Sequence, residues 1–277
     1  MSQDTALGPR CLRPCAEPTP APALIREIRS RIIPLARGNV LEIGAGPGVN
    51  FALYDPARVS RVYALEPNTG MVQLDFEKLR AAALCTEPFT YTIVPAFLDA
   101  DGVKAVNATY PPISHGGSFP VASLAAGMAI KDVIAELDGP TFQEVVAAKF
   151  DVDLADKPKM YSLRGHVRAK DGKIHTDSKD KIITVLLYLN EHWPHRGGRL
   201  RLLRDGKDLE NYAAEVAPDN GTLLIFKRSD RSWHGHPPFE GPRRALQMNW
   251  MTSEGSKGFH ALRHRLSARV KKLAAGG

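Results

Sequence analysis

From Lys159 onward the chain is written in short runs of β-branched, aromatic and other apolar residues separated by turn pairs, and nothing else in the sequence restricts the fold as tightly. The segments Met160–Ala169, Lys181–Asn190, Arg199–Arg204, Glu215–Ala217, Thr222–Phe226 and Ala245–Thr252 read as strands. Asp171-Gly172, Asp205-Gly206 and Asn220-Gly221 are turn pairs between them. Strands this short and this numerous fit a double-sheet jelly roll, or double-stranded β-helix. Before them, Leu124–Leu137 and Pro140–Phe150 each carry apolar residues on one helical stripe and would brace the outside of the barrel. The expected class is therefore mainly β with flanking helices.

Side chains two apart on a strand point the same way, so His175 and Asp177 of His175-Thr176-Asp177 can reach one point. A third ligand must then come from another strand. Gly221–Phe226 reads as a buried strand, and a polar loop leads from it to Ser232-Trp233-His234-Gly235-His236. Two imidazoles and one carboxylate are the set that holds iron(II) on one face of its octahedron and leaves three positions open. Nearby, Gly241–Trp250 opens a strand with Arg243 and Arg244, either of which can grip a carboxylate through two parallel hydrogen bonds. Only one of them can face a given side of the strand. Arg244 shares its parity with Leu246, Met248 and Trp250, the apolar side expected to turn inward, and is favoured over Arg243, which goes with Ala245, Gln247 and Asn249.

In this order the features resemble the iron(II) and 2-oxoglutarate-dependent dioxygenases of the prolyl 4-hydroxylase type, over roughly Glu87–Trp250. The resemblance rests on Pro88–Leu98, the His-x-Asp pair, Thr184–Asn190, Arg196–Leu202, His234 with Pro238 four residues on, and Gly241–Arg244. It implies that His175, Asp177 and His234 hold iron(II); choosing His236 instead would slip the spacings to the proline and the arginines by two. It implies that Arg244, or alternatively Arg243, takes the distal carboxylate of 2-oxoglutarate, with Tyr188 as its phenolic helper. The implied reaction hydroxylates a C–H bond of a prolyl, peptidyl or small amino-acid-like substrate, consumes dioxygen and releases succinate and CO2, with ascorbate as a candidate reductant. A non-catalytic metal-binding module would keep the barrel and never form succinate, since zinc has no redox chemistry.

The preceding residues have a different texture. Residues 1–22 are proline-rich and read as a flexible lead-in. In Ala23–Ala36, Leu24, Ile25, Ile28, Ile32 and Ile33 recur at helical intervals. Asn39–Ile43 then reads as a strand running into Gly44, Gly46 and Gly48, and Arg61–Leu65 as a second strand ending at Glu66. Glycines let a backbone approach a nucleoside, and an acid at a strand tip can bond ribose hydroxyls. This segment is similar to the start of class I S-adenosylmethionine-dependent methyltransferases, with Gly44, Gly46, Gly48 and Glu66 on the motif positions. The pattern stops after two strands, so residues 23–84 are read as a partial Rossmann-like α/β segment, and a methyltransferase-related activity using S-adenosylmethionine is not expected. The boundary to the dioxygenase-like region, 85–254, is placed near Cys85.

The charge of +7 is uneven: residues 255–277 hold six Lys and Arg and no acid, whereas residues 85–254 hold 21 basic and 22 acidic groups. The basic tail spaces Leu262, Leu266, Val270 and Leu273 on one helical face, and contact with nucleic acid or a ribosome through it is a weak expectation because no aromatics interleave. Three cysteines, Cys11, Cys15 and Cys85, do not make a disulfide framework. No apolar run approaches the roughly 20 residues that span a bilayer, and the amino terminus lacks a secretion signal. A cytoplasmic location with no membrane partner is expected. The glycine-rich run Ile113–Phe119 reads either as a substrate lid or as an exposed turn, with His115 a candidate substrate contact.

Overall fold

The computed structural model describes residues 23–43, 50–65 and 72–253, and the chain divides into Met1–Thr69 and Gly70–Gly277. In the first unit, helix α1 (Ala23–Ile32) gives way to a single 3-10 turn at Ile33–Leu35. Pro34 has no N–H to continue the helix. Strands β1 (Gly38–Ile43) and β2 (Val59–Leu65) then pair in parallel, with Leu41 beside Tyr63. Glu42 accepts hydrogen bonds from Asn50 Nδ2 (2.7 Å) and Tyr54 Oη (3.0 Å), tying β1 to the crossover. Gly44, Gly46, Gly48 and Glu66 lie outside the described residues, as do Cys11, Cys15 and the basic tail. The Rossmann-like expectation therefore extends no further than this parallel pair.

The second unit starts earlier than Cys85. Val72, Leu74 and Leu79 are buried in its core, and Leu74 bridges Leu98. Helix α2 (Phe76–Ala81) is capped by Asp75, whose side chain accepts from Lys78 N–H at 2.9 Å. Apolar burial, which the local sequence pattern does not reveal, groups these residues with the second unit.

Two antiparallel sheets follow. The larger comprises β3 (Tyr91–Val94), β4 (Phe119–Pro120), β5 (Lys159–Val167), β6 (Lys181–Tyr188), β9 (Leu223–Lys227) and β11 (Gly241–Met251), in the order β3-β9-β6-β11-β5-β4. The smaller comprises β7 (Leu200–Leu203), β8 (Tyr212–Val216) and β10 (His234–Gly235), in the order β10-β7-β8. Asn220 and Gly221, at φ 52° and 62°, make the expected turn that carries the chain from the smaller sheet to the larger. A Cβ on Gly221 would lie 1.9 Å from the Leu98 carbonyl oxygen, so a side chain is excluded there.

Each face of the large sheet has its own neighbour. Ile183, Val185, Leu246, Met248 and Trp250 join the core formed with helices α3 (Ala100–Ala108), α4 (Met128–Asp138) and α5 (Pro140–Phe150). Trp250 is fully buried and stacks on Phe142 of α5 at 5.7 Å. The opposite face meets the small sheet, where Tyr188, Phe226 and Ala245 pack with Leu200, Leu202 and Val216. Strand period two sorts the residues between these faces. Among the described residues the predicted helices and strands are present, with β4 and β10 as short additions; the helix expected in residues 255–277 lies outside them.

Candidate metal centre

His175 and His234 are brought together by backbone pairing. Each donates its amide to the other's carbonyl, His175 N–H to His234 O at 3.0 Å and His234 N–H to His175 O at 2.9 Å. The rings lie 4.3 Å apart between centroids. Asp177 completes the group, and one ligand atom from each residue falls within 4.8 Å of the others. His175 was expected on a regular strand; it occupies an isolated bridge instead, while His234 opens the short strand β10, in line with a third ligand expected from another strand. Convergence thus comes from cross-strand pairing of the two histidines, with Asp177 joined through the larger sheet.

The hydrogen bonds behind the ligands prepare them for a cation. His175 Nδ1 faces Lys173 O at 2.8 Å, and His234 Nδ1 faces Ser232 O at 3.0 Å. A carbonyl oxygen only accepts, so Nδ1 carries the proton in both rings and Nε2 keeps its lone pair for a metal. Lys181 Nζ donates to Asp177 Oδ1 at 2.7 Å, and Thr184 Oγ1 donates to Oδ2 at 2.5 Å. Burial opposes ionisation of Asp177, but Lys181, His234 and these two hydrogen bonds outweigh it and hold the carboxyl well below its usual range. Each carboxylate oxygen has a second lone-pair direction left for a metal. Burial, assisted by His175, lowers His234 to about 4 against the pull of Asp177, so its ring is neutral, as a ligand must be.

The group opens on a cavity of about 500 Å³. Tyr188 and Arg243 line it, and both are buried. The Arg243 guanidinium sits 5.3 Å from the Tyr188 ring centroid, and its Nε donates to Gly198 O at 2.8 Å. Tyr188 Oη and Arg243 Nη2 are buried without a hydrogen-bond partner among the described residues. Such orphaned groups cost free energy unless a ligand satisfies them. Burial raises the Tyr188 phenol, partly offset by Arg243 and Arg164, and keeps it a neutral donor.

The two arginines leave β11 on opposite sides. Arg244 points to the helix side, where Nη1 donates to Asn107 of α3 at 2.6 Å and the guanidinium lies 5.1 Å from the Tyr110 ring centroid. It does not line the cavity. The parity grouping itself holds: Arg244 goes with Leu246, Met248 and Trp250. That apolar face is the one covered by helices, while the cavity is on the polar face with Arg243 and Gln247. His236 also lines the cavity but is outside the converging group. Its ring is packed on Gly172, at φ 87°, where a Cβ would stand 2.4 Å from it. Burial and Arg243 lower His236 to about 4. Of the glycine-rich run, Gly117, Ser118 and Phe119 reach the cavity, whereas His115 is exposed and does not.

Sequence reasoning missed Lys181 and Thr184 as supports of Asp177, and Arg164 and His166 as cavity-lining groups. The signal for the latter pair was present as polar residues at alternate positions of β5.

Residues 161–252 match the sequence profile of the 2OG-Fe(II) oxygenase superfamily. Among solved structures, a prolyl-4-hydroxylase from Pseudomonas putida is 20% identical, with 66% of this chain and 99% of that chain covered at a TM-score of 0.49. A prolyl 4-hydroxylase from Phytophthora capsici is 16% identical, covering 64% of this chain and 65% of that one at a TM-score of 0.44. The viral collagen prolyl hydroxylase of Paramecium Bursaria Chlorella virus-1 is 15% identical, covering 59% and 96% at a TM-score of 0.41. No curated protein matches the chain. The stretch from Tyr161 to Thr252, which contains His175, Asp177, His234, Tyr188 and Arg243, is thus similar to the 2OG-Fe(II) oxygenase superfamily.

Proposed function

We propose that this protein is an iron(II)- and 2-oxoglutarate-dependent oxygenase that hydroxylates a C–H bond. The observation that carries the reading is the pairing of two features in one cavity: a His-Asp-His group, and an unsatisfied Arg243–Tyr188 pair on the wall. A metal-binding module alone would leave the second feature without a purpose.

His175, Asp177 and His234 would hold the metal through two Nε2 atoms and a carboxylate oxygen. Bound iron(II), with 2-oxoglutarate and dioxygen, supplies the oxidising chemistry, 2-oxoglutarate ending as succinate and CO2. Arg243 Nη2 and Tyr188 Oη are the donors for the distal carboxylate of 2-oxoglutarate, which would satisfy two buried groups that the protein leaves open. Lys181 and Thr184 fix the rotamer of Asp177, and the carbonyls of Lys173 and Ser232 fix the rings. The apolar walls from Leu186, Leu200 and Phe226 limit water around the reacting centre.

Anaerobic loading with iron(II) followed by 2-oxoglutarate should produce a metal-dependent visible absorption band and, on admission of oxygen, succinate. Protein that takes up iron but neither binds 2-oxoglutarate nor forms succinate would overturn the reading.

A further inference from the structure

Strand β5 and the residue after it send Arg164, His166 and Arg168 to one side, since they occupy alternate positions, and all three line the cavity. Arg168 is already neutralised: Nη2 and Nε donate to the two carboxylate oxygens of Asp171 at 2.7 and 3.2 Å. Arg164 is not. Its Nε donates to Gln247 Oε1 at 3.1 Å, and it forms no ion pair among the described residues. His166 Nδ1 is buried without a partner.

Arg164 and Arg243 are close enough to repel, but they hold different partners. Arg243 is tied to Gly198 and lies against Tyr188. Arg164 instead begins a run that leads to the metal ligands: Gln247 Nε2 donates to Asn249 Oδ1 at 3.3 Å, and the Thr184 hydroxyl lies within reach of both Asn249 Oδ1, at 3.0 Å, and Asp177 Oδ2. A cation left unpaired in a partly buried site is costly, and like charge from Arg243 adds to the cost. An anion arriving with a ligand would remove both penalties. The distal carboxylate of 2-oxoglutarate answers Arg243 and leaves Arg164 for another molecule.

We propose that Arg164 and His166 anchor a carboxylate of the primary substrate, so that the molecule oxidised is a carboxylic acid, held by its acid group on the metal side of the cavity. This rests on the oxygenase reading for the role of Arg243. Arg164 supplies a planar pair of donors, and His166 adds a further hydrogen bond beside it. A free amino acid and a peptide with a free carboxyl terminus present the same group.

The test uses full-length protein loaded with zinc(II) and saturated with 2-oxoglutarate, a complex that cannot turn over. Calorimetric titration compares free L-amino acids with their carboxamides, and short peptides with free against amidated carboxyl termini. Acids that bind should lose at least about tenfold in affinity on amidation and again in Arg164→Gln, with a smaller loss in His166→Asn. Arg164→Lys, which keeps the charge but not the planar fork, should restore only part of the binding, and the affinity for 2-oxoglutarate should stay within about twofold of wild type in every Arg164 variant. Binding of free acids without their peptides, or the reverse, identifies the source of the carboxylate.

Equal binding of acids and amides, absence of any acid binding to the wild type, or an Arg164→Gln defect confined to 2-oxoglutarate would each overturn the anchor. Failure of the zinc protein to bind 2-oxoglutarate would instead overturn the oxygenase reading, and titrating the same acids without 2-oxoglutarate still decides the anchor.

Discussion

Asp177 is the residue on which the candidate metal centre depends most, because it supplies the group's negative charge and is held by two donors. Asp177→Ala should abolish oxygen-dependent succinate formation and iron retention, measured by turnover and by metal analysis after desalting. Thr184→Val keeps the shape of the side chain but removes one of those donors, and should weaken metal binding by about 10- to 100-fold. For the co-substrate, Arg243→Gln should raise the 2-oxoglutarate KM by about 10- to 100-fold, the loss expected for charge-assisted hydrogen bonds of about 1.5–3 kcal/mol. Arg244→Gln should leave that KM nearly unchanged; the opposite ranking would return the role to Arg244.

His234 and His236, each lowered to about 4 by burial, set a pH dependence on the metal-free protein. Their unfolded-state value is near 6.5, so between about 6.5 and 4 the unfolded chain binds more protons than the folded one. Stability should therefore be full above this window and fall as pH drops through it, by at most about 3 kcal/mol per histidine. Asp177, held low, adds stability that is lost only as pH falls below the ordinary carboxylate range. Urea midpoints of apo-protein between pH 7.5 and 4.5 check the sign; a midpoint that rises on acidification would contradict it.

At the scale of the element, β11 shows how far the sequence could be read. Its alternation divides Arg244, Leu246, Met248 and Trp250 from Arg243, Ala245, Gln247 and Asn249, and the structure keeps that division. What alternation does not contain is which side a helix layer will cover. Helices α4 and α5 cover the apolar side, so the arginine that lines the cavity is the one on the polar side. The short pairing of His175 with β10 was likewise hidden, since two residues of strand leave no periodic trace. Trp250, fully buried and stacked on Phe142, joins β11 to α5. Trp250→Ala should cost about 3–5 kcal/mol in urea unfolding, and a loss below about 1 kcal/mol would mean that this contact contributes little.

At the scale of the molecule, the division before Gly70 makes a claim that the boundary expected near Cys85 does not. Val72, Leu74 and Leu79 each bury an apolar side chain in the core of the second unit, worth roughly 1.5–3 kcal/mol apiece. A chain beginning at Gly70 should therefore unfold cooperatively at a clearly higher temperature than one beginning at Cys85, as read by circular dichroism. Equal midpoints would place the boundary back at the later position.

The sequence by itself determined the strand-rich class and most element positions and singled out His175, Asp177 and His234 as a candidate group, because residue chemistry and a period of two are local properties that survive without coordinates. Only the tertiary structure decided which arginine enters the cavity, that Arg164 and His166 stand on its wall, and where the second unit begins. Those outcomes depend on which face of a sheet is buried under helices, and burial is a relation between distant segments that no local run of residues encodes.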